Sequence, residues 1–207
     1  MPPPGLFAKS IFINCPFSPE YQPIFRAILF SVYACGFLPR CALEVSDSSE
    51  NRLSKIEAII RECKFGIHDI SVMGPDPQTR LARLNMAFEL GIFLGAKRFG
   101  TGRQRHKIAL VLDRHRYRYR AALSDISGQD IASHRGVARN AIREVRDWLD
   151  ASRQTADSLP GGSYIGQRFY KFSRQLPAGS KSQRLNAREL TYADLCRAIE
   201  AWLEKNT

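Results

Sequence analysis

The sequence has no apolar run near the roughly 18 residues that a membrane helix needs, so no membrane contact is expected. It also has no Cys-x-x-Cys pair. The five cysteines, Cys15, Cys35, Cys41, Cys63 and Cys196, are scattered and odd in number. That leaves no zinc-ligand spacing and no disulfide framework that could use them all. Most sit in apolar stretches and read as small buried hydrophobes in a reducing compartment. The start, Met1 to Gly5, lacks the basic residues and apolar stretch of a signal peptide. Residues 1–9 are expected to be a short extended tail, and the location cytoplasmic. Histidine is scarce, with four residues, and no Ser-His-Asp or metal pattern emerges from their spacing. His68 reads as a strand residue and His134 stands isolated. Gly100 to Arg105 is glycine-containing but precedes a strand with no helix after it, so it is not a phosphate loop. No metal and no cofactor is called for, and there is no internal repeat.

What is present suits one domain. The chain has 207 residues, and 44% of them are hydrophobic, enough for a sizeable core. Residues 10–207 are expected to form a single α/β domain with a C-terminal helical extension from about 137. The net charge is +11, so a polyanion is a candidate partner. The charge is uneven: nine Lys or Arg stand between Lys97 and Arg120 against one acid, Asp113.

Apolar periodicity orders the elements. Ser10 to Asn14 is a β-branched strand, broken by Pro16 and Pro19. Tyr21 to Cys35 carries helical spacing and stops at Gly36. Phe37 to Val45 reads as a second strand, with Pro39 favouring a sheet edge. A polar loop, Ser46 to Ser49, leads to a helix from about Glu50 to Glu62. A third strand covers Phe65 to Ile70. The Gly-Pro-Asp-Pro loop at 74–77 follows, then a helix from about Leu81 to Ala96. Lys107 to Leu112 is a continuous apolar run, the mark of a strand buried on both faces. Ala138 to Ala151 and Leu190 to Leu203 read as helices. Residues 158–185 are rich in Gly, Ser and Arg and read as loops, with Tyr164 to Phe172 an alternative final strand.

The alternation of strand and helix predicts a three-layer α/β fold. Its centre is a parallel sheet of four or five strands in the flavodoxin-like order 2-1-3-4-5. Ligands in such sheets bind beyond the carboxyl ends of the strands, at the switch between strands one and three.

Candidate chemistry concentrates in Leu84 to Ala96. Only Asn85 and Glu89 among these thirteen residues have polar side chains, and their spacing puts them on one helix face. A helix apolar nearly all round is expected to be buried, and Gly91 and Gly95 suggest close approach of another backbone. A buried carboxylate is costly unless it is paired or has a task, and burial raises its pKa toward acid, base or nucleophile roles. The plainer alternative is a structural Glu89 paired with an arginine. Asn14 and Asp69 end strands one and three and should lie near each other. Glu44 or Asp47 ends strand two. Several oxygen-bearing side chains converging in a cleft could grip ribose hydroxyls, although each alone also suits a cap or turn.

Three segments together, Ile11 to Phe17, Asp69 and Ala87-Phe88-Glu89-Leu90-Gly91, resemble the nucleoside 2-deoxyribosyltransferases and the wider TIR-like glycosidic-bond enzymes. The resemblance spans roughly residues 10–113. It implies that Glu89 is the nucleophile or charge stabiliser at C1′ of a ribose, that Asp69 contacts sugar or base, and that Phe17 packs on the base. The implied activity is N-glycosidic hydrolysis or deoxyribosyl transfer on a nucleoside or nucleotide, NAD included. Asn85-Met86 stand where the transferases usually carry Gly-Thr, and Ile92-Phe93 where they carry Tyr-Ala. A non-catalytic nucleotide-sensing or TIR-like signalling or defence module is therefore kept beside the enzyme reading. Arg114 to Arg120 interleaves cations with Tyr117 and Tyr119, which would suit single-stranded nucleic acid. A solvated face or a homo-oligomer contact ranks above that use.

Overall fold

Five short strands build one all-parallel sheet: β1 (Ser10–Asn14), β2 (Leu38–Arg40), β3 (Phe65–Asp69), β4 (Ile108–Asp113) and β5 (Ile131–Ser133). The computed structural model describes residues 4–76, 79–153 and 157–206. The strand order is 2-1-3-4-5, as the alternation of elements predicts. Seven α-helices are found among the described residues: α1 (Pro4–Lys9), α2 (Gln22–Ala34), α3 (Arg52–Glu62), α4 (Asn85–Phe99), α5 (Ala138–Ser152), α6 (Gly162–Ser182) and α7 (Tyr192–Lys205). None of the described helices is long and apolar enough to cross a membrane.

The two-residue period of the strands divides the core. Ile11, Ile13, Phe65, Ile67, Leu110 and Leu112 pack toward α2 and α5. Phe12 faces the other way, onto Ile56, Ile59 and Ile60 of α3 and Phe93 of α4. Gly66 lies on that second face. A Cβ there would stand 2.8 Å from the Phe93 ring and 2.7 Å from His68 Nε2, so the bare backbone lets α4 settle onto β3. Helix α2 is enclosed on both sides, because α6 and α7 add a further cover. Phe30 meets Phe169 and Phe172 of α6 and Trp202 of α7 at ring distances of 5.5–5.7 Å.

Four differences from the sequence reading have physical causes. Residues 4–9 form a helix in place of the expected extended tail. Phe7 is buried, its carbonyl accepts from Lys64 N at 3.1 Å, and Ser10 Oγ donates to Leu6 O. The expected loop or strand over 158–185 is the 21-residue α6. Its composition is polar, yet Ile165, Phe169, Phe172, Leu176 and Ser180 recur at three- and four-residue spacing and all are buried, with Pro177 tolerated within. The second strand has three residues, because the chain turns outward after Arg40. Helix α4 is only half covered: Phe88 and Phe99 are exposed, as is Leu84 just before it, and a Cβ on Gly91 or Gly95 would meet nothing within 4 Å. The close approach expected at these glycines is not made. Residues 1–3 of the tail and Pro77 of the expected Gly-Pro-Asp-Pro loop lie outside the described residues.

Lys107, just before β4, is wholly enclosed. Its Nζ donates to the carbonyls of Ile60 and Cys63 at the end of α3 and stands 4.6 Å from the Phe93 ring centre. No carboxylate pairs with it among the described residues. Burial therefore pulls its pKa down from 10.5 to about 8, with Cys63 opposing and Arg103 adding to the fall. Between these values the unfolded chain holds a proton that the native chain has released, so stability rises with pH across the window and is flat below it. Wild type should thus gain in melting temperature relative to Lys107→Met as pH goes from 8 to 10. A gap that does not move would show that the buried ammonium carries no such penalty.

Candidate functional site

Strands β1, β3 and β4 all end on polar residues, Asn14, Asp69 and Asp113, and all three are buried. Next to the β1 end lies a cavity of about 460 Å³. One wall is the turn after β1, Cys15 to Ser18. Arg52, the first residue of α3, forms another. The segment Ala82 to Met86, which runs into α4, closes the third. This is the place the switch-point rule assigns to a ligand. Larger hollows of about 650 and 680 Å³ exist. The first is lined by Gly100 to Gln104, which lead into β4, and so lies at the amino ends of the strands. The second lies over β4 beside Leu94 and Asp130. Neither adjoins the switch point.

Asn14 and His68 are register partners on β1 and β3, and their side chains meet on the α4 side of the sheet. Asn14 Nδ2 donates to Met86 O at 2.8 Å and lies 3.1 Å from His68 Nδ1, while Asn14 Oδ1 is enclosed without a partner among the described residues. Burial, with the charge of Lys107, pushes the His68 pKa down to about 3. The ring is therefore neutral; Nδ1 accepts from Asn14, which assigns the proton to Nε2. His68 sits edge-on between Phe12 and Phe93. It is a core histidine, as its place in the strand suggested, with Nε2 enclosed and without a hydrogen-bond partner among the described residues.

Asp69, one residue later, faces the opposite side. Its Oδ2 accepts from Tyr21 OH at 2.6 Å and lies 2.9 Å from His134 Nε2, and its Oδ1 accepts from Ser71 N at 2.8 Å. The expectation that Asn14 and Asp69 share a cleft is thus corrected. Their backbones are neighbours, but a step of one residue along a strand sends side chains to opposite faces. Ser71 Oγ also lies 3.0 Å from His134 Nε2. A serine, a histidine and an aspartate therefore meet, which spacing along the chain did not reveal. They do not form a proton relay. Serine and aspartate approach the same nitrogen, while Nδ1 accepts from Gly136 N at 3.0 Å. A relay needs them on opposite nitrogens.

Glu89 lies one turn along α4 from Met86. It is 6% exposed and has no hydrogen bond or ion pair among the described residues. Burial raises its pKa from 4.5 to about 7, against a smaller opposing pull from Arg52. Cys15, whose thiol is pushed up chiefly by burial, feels the charges of Asp69 and Glu89. Glu89 is thus within electrostatic reach of two cavity residues, Cys15 and Arg52, although the lining itself stops at Met86. Asn85 is exposed on the lining. Phe17 is half-buried there, its ring edge-on to Phe25 at 5.4 Å.

Glu44 and Asp47 do not line this cavity. Arg40 grips Glu44 through Nε and Nη2 at 2.6–2.9 Å and reaches Glu62 at 3.1 Å. Asp47 is exposed and accepts from Ser49 N and Oγ in a local turn. Strand β2 is the sheet edge and ends at Arg40, so residues after it travel outward. The basic strip also divides. Tyr119 is buried, and Arg118 Nη2 clamps Asp113 Oδ1 at 2.9 Å and Ile70 O at 3.3 Å. Arg116, Tyr117 and Arg120 stay exposed, with Arg120 stacked 4.5 Å over Tyr117. That breaks the continuous stacking platform a single strand would need.

Sequence reasoning missed Ser18, Arg52 and the Tyr21–Asp69–His134–Ser71 network, which join residues far apart in the chain. No group of three or more acidic, histidine or cysteine side chains suited to a metal exists among the described residues. The chain matches no family model and no curated protein.

Proposed function

We propose that the protein cleaves the N-glycosidic bond of a nucleoside or nucleotide, NAD included, by hydrolysis or deoxyribosyl transfer, with Glu89 as the catalytic carboxylate. The observation that carries this is a nearly buried, unpaired carboxyl group with a pKa near 7 beside the switch-point cavity. Breaking the C1′–N bond builds positive charge on the sugar, and a carboxylate held out of water can trap or stabilise it. Near pH 7 much of Glu89 is ionised, yet its desolvation keeps it basic enough to react. Phe17 offers a ring face for a base, and Asn85 offers amide groups to sugar hydroxyls.

One observation favours a second reading, a non-catalytic nucleotide-sensing or signalling module. Asp69, which the resemblance makes a sugar or base contact, is fully enclosed and already accepts from three partners. Incubation with nucleosides, nucleoside monophosphates and NAD, followed by chromatography, separates the two. Release of free base supports the enzyme. Saturable binding without base release supports the sensor, and neither binding nor release rejects both.

A further inference from the structure

Among the cavity's polar residues, Arg52 stands out by what it does not do. Its guanidinium makes no hydrogen bond, ion pair or ring contact among the described residues, and the group its charge acts on is Glu89. The other basic residue on the lining, Arg83, is held by Asp76 through Nε and Nη2. No carboxylate is among the described residues that line the cavity. The acids nearby are Glu89, which Arg52 influences, and the exposed Glu20, which Arg83 influences. The cavity wall therefore carries one uncommitted positive charge, with the Ser18 hydroxyl and the Asn85 amide as neutral donors on the same lining. Helix α4 begins there with no side chain capping it. Its first backbone N–H groups add partial positive charge at that end.

We propose that Arg52 is the anion-binding residue of this cavity, and that the ligand class is a ribosyl or deoxyribosyl 5′-phosphate rather than a neutral nucleoside. The proposal rests on the reading of a sugar placed near Glu89 and names the substrate class for that site. An arginine fork matches two phosphate oxygens, and such charge-assisted contacts are strong where the partner lacks competing anions. The volume of about 460 Å³ falls within the ordinary range for small-ligand sites, which suits a sugar phosphate with a base. Sugar and phosphate then divide the cavity's chemistry. Glu89 attends the carbon that becomes positive, and Arg52 holds the distant anion that orients it.

The test is binding of ribose 5-phosphate, ribose and inorganic phosphate to the full chain by calorimetry, in wild type, Arg52→Gln and Arg52→Lys, together with cleavage assays on a paired nucleoside and its 5′-monophosphate. Arg52 is exposed at the start of α3, so the substitutions should leave the melting temperature in place. Wild type should bind ribose 5-phosphate at least about tenfold tighter than ribose, and Arg52→Gln should erase that ratio while Arg52→Lys keeps part of it. Inorganic phosphate should bind more weakly than ribose 5-phosphate, which separates a sugar-phosphate site from a plain anion site. Equal binding of ribose and its phosphate, or a phosphate preference untouched in Arg52→Gln, overturns the proposal. Arg52-dependent binding of ribose 5-phosphate without any cleavage would sustain it while rejecting catalysis. Equal cleavage of nucleoside and monophosphate, unaffected by Arg52→Gln, would reject it while sustaining catalysis.

Discussion

Glu89→Gln should lower base release by about 10²–10⁴-fold, the range associated with removing a positioned acid–base or nucleophilic group, without unfolding the chain. Glutamine is nearly isosteric with glutamate, and no partner loses a hydrogen bond by the change. The pH dependence is a sharper measure. Glu89 acts ionised in this mechanism, so the wild-type rate should climb with pH and level off above about 7. Stability should move the opposite way. Folding lifts the carboxyl from 4.5 to about 7, so across that window the native chain keeps a proton that the unfolded chain has released. Stability therefore falls as pH rises through the window and stays at its lower level beyond it. The amide of Glu89→Gln has no charge to bury, so the variant should melt with wild type near pH 5 and above it at pH 8. An active variant, or melting curves whose separation ignores pH, would leave Glu89 without the role assigned to it.

The setting of Glu89 was legible in the sequence only in part. That Glu89 would be buried followed from its apolar surroundings, Leu84 to Ala96. That the helix carrying it would keep an open outer face did not, because hydropathy counts apolar residues without saying which side finds a partner. Phe88 and Phe99 are as apolar as Leu90 and Phe93, yet only the latter pair faces the sheet. The parallel order 2-1-3-4-5 was legible for a sturdier reason. Each strand–helix unit has its own period, and right-handed crossovers leave few ways to join them. Helix α6 was hidden by composition, since its seam of buried residues is diluted by Gly, Ser, Lys and Arg on the outer side. The site was harder still. Arg52 follows the polar run Ser46–Asn51 and carries no local pattern, and its importance comes only from lacking a partner in three dimensions. Strand ends pointed to Asn14 and Asp69 as neighbours in one cleft; both are buried, and a one-residue difference in phase sends their side chains to opposite faces.

That separation sets the second large effect. Asp69→Ala should cost about 3–5 kcal/mol of stability, because it removes the acceptor of three enclosed donors, Tyr21 OH, His134 Nε2–H and Ser71 N–H. For a chain of this size the melting temperature should fall by roughly 6–20 °C. Asp69→Asn is the finer probe. One carboxylate oxygen serves Tyr21 and His134, and the other serves Ser71 N. Asparagine has a single side-chain oxygen, so in either orientation its amide N–H groups face a donor. His134 cannot relieve this by changing tautomer, because Gly136 N already donates to its Nδ1. Asp69→Asn should thus destabilise the fold too, by less than the alanine change. Combining it with Tyr21→Phe should give less than the sum of the single effects, as expected when one buried network is broken twice. The family resemblance makes the opposite forecast: a residue that touches sugar or base would, as asparagine, spare the melt and raise KM. Loss of stability with unchanged KM in the surviving folded protein would make Asp69 the post that fixes the strand ends and the start of α2, leaving substrate contact to Glu89 and the cavity beyond the end of β1.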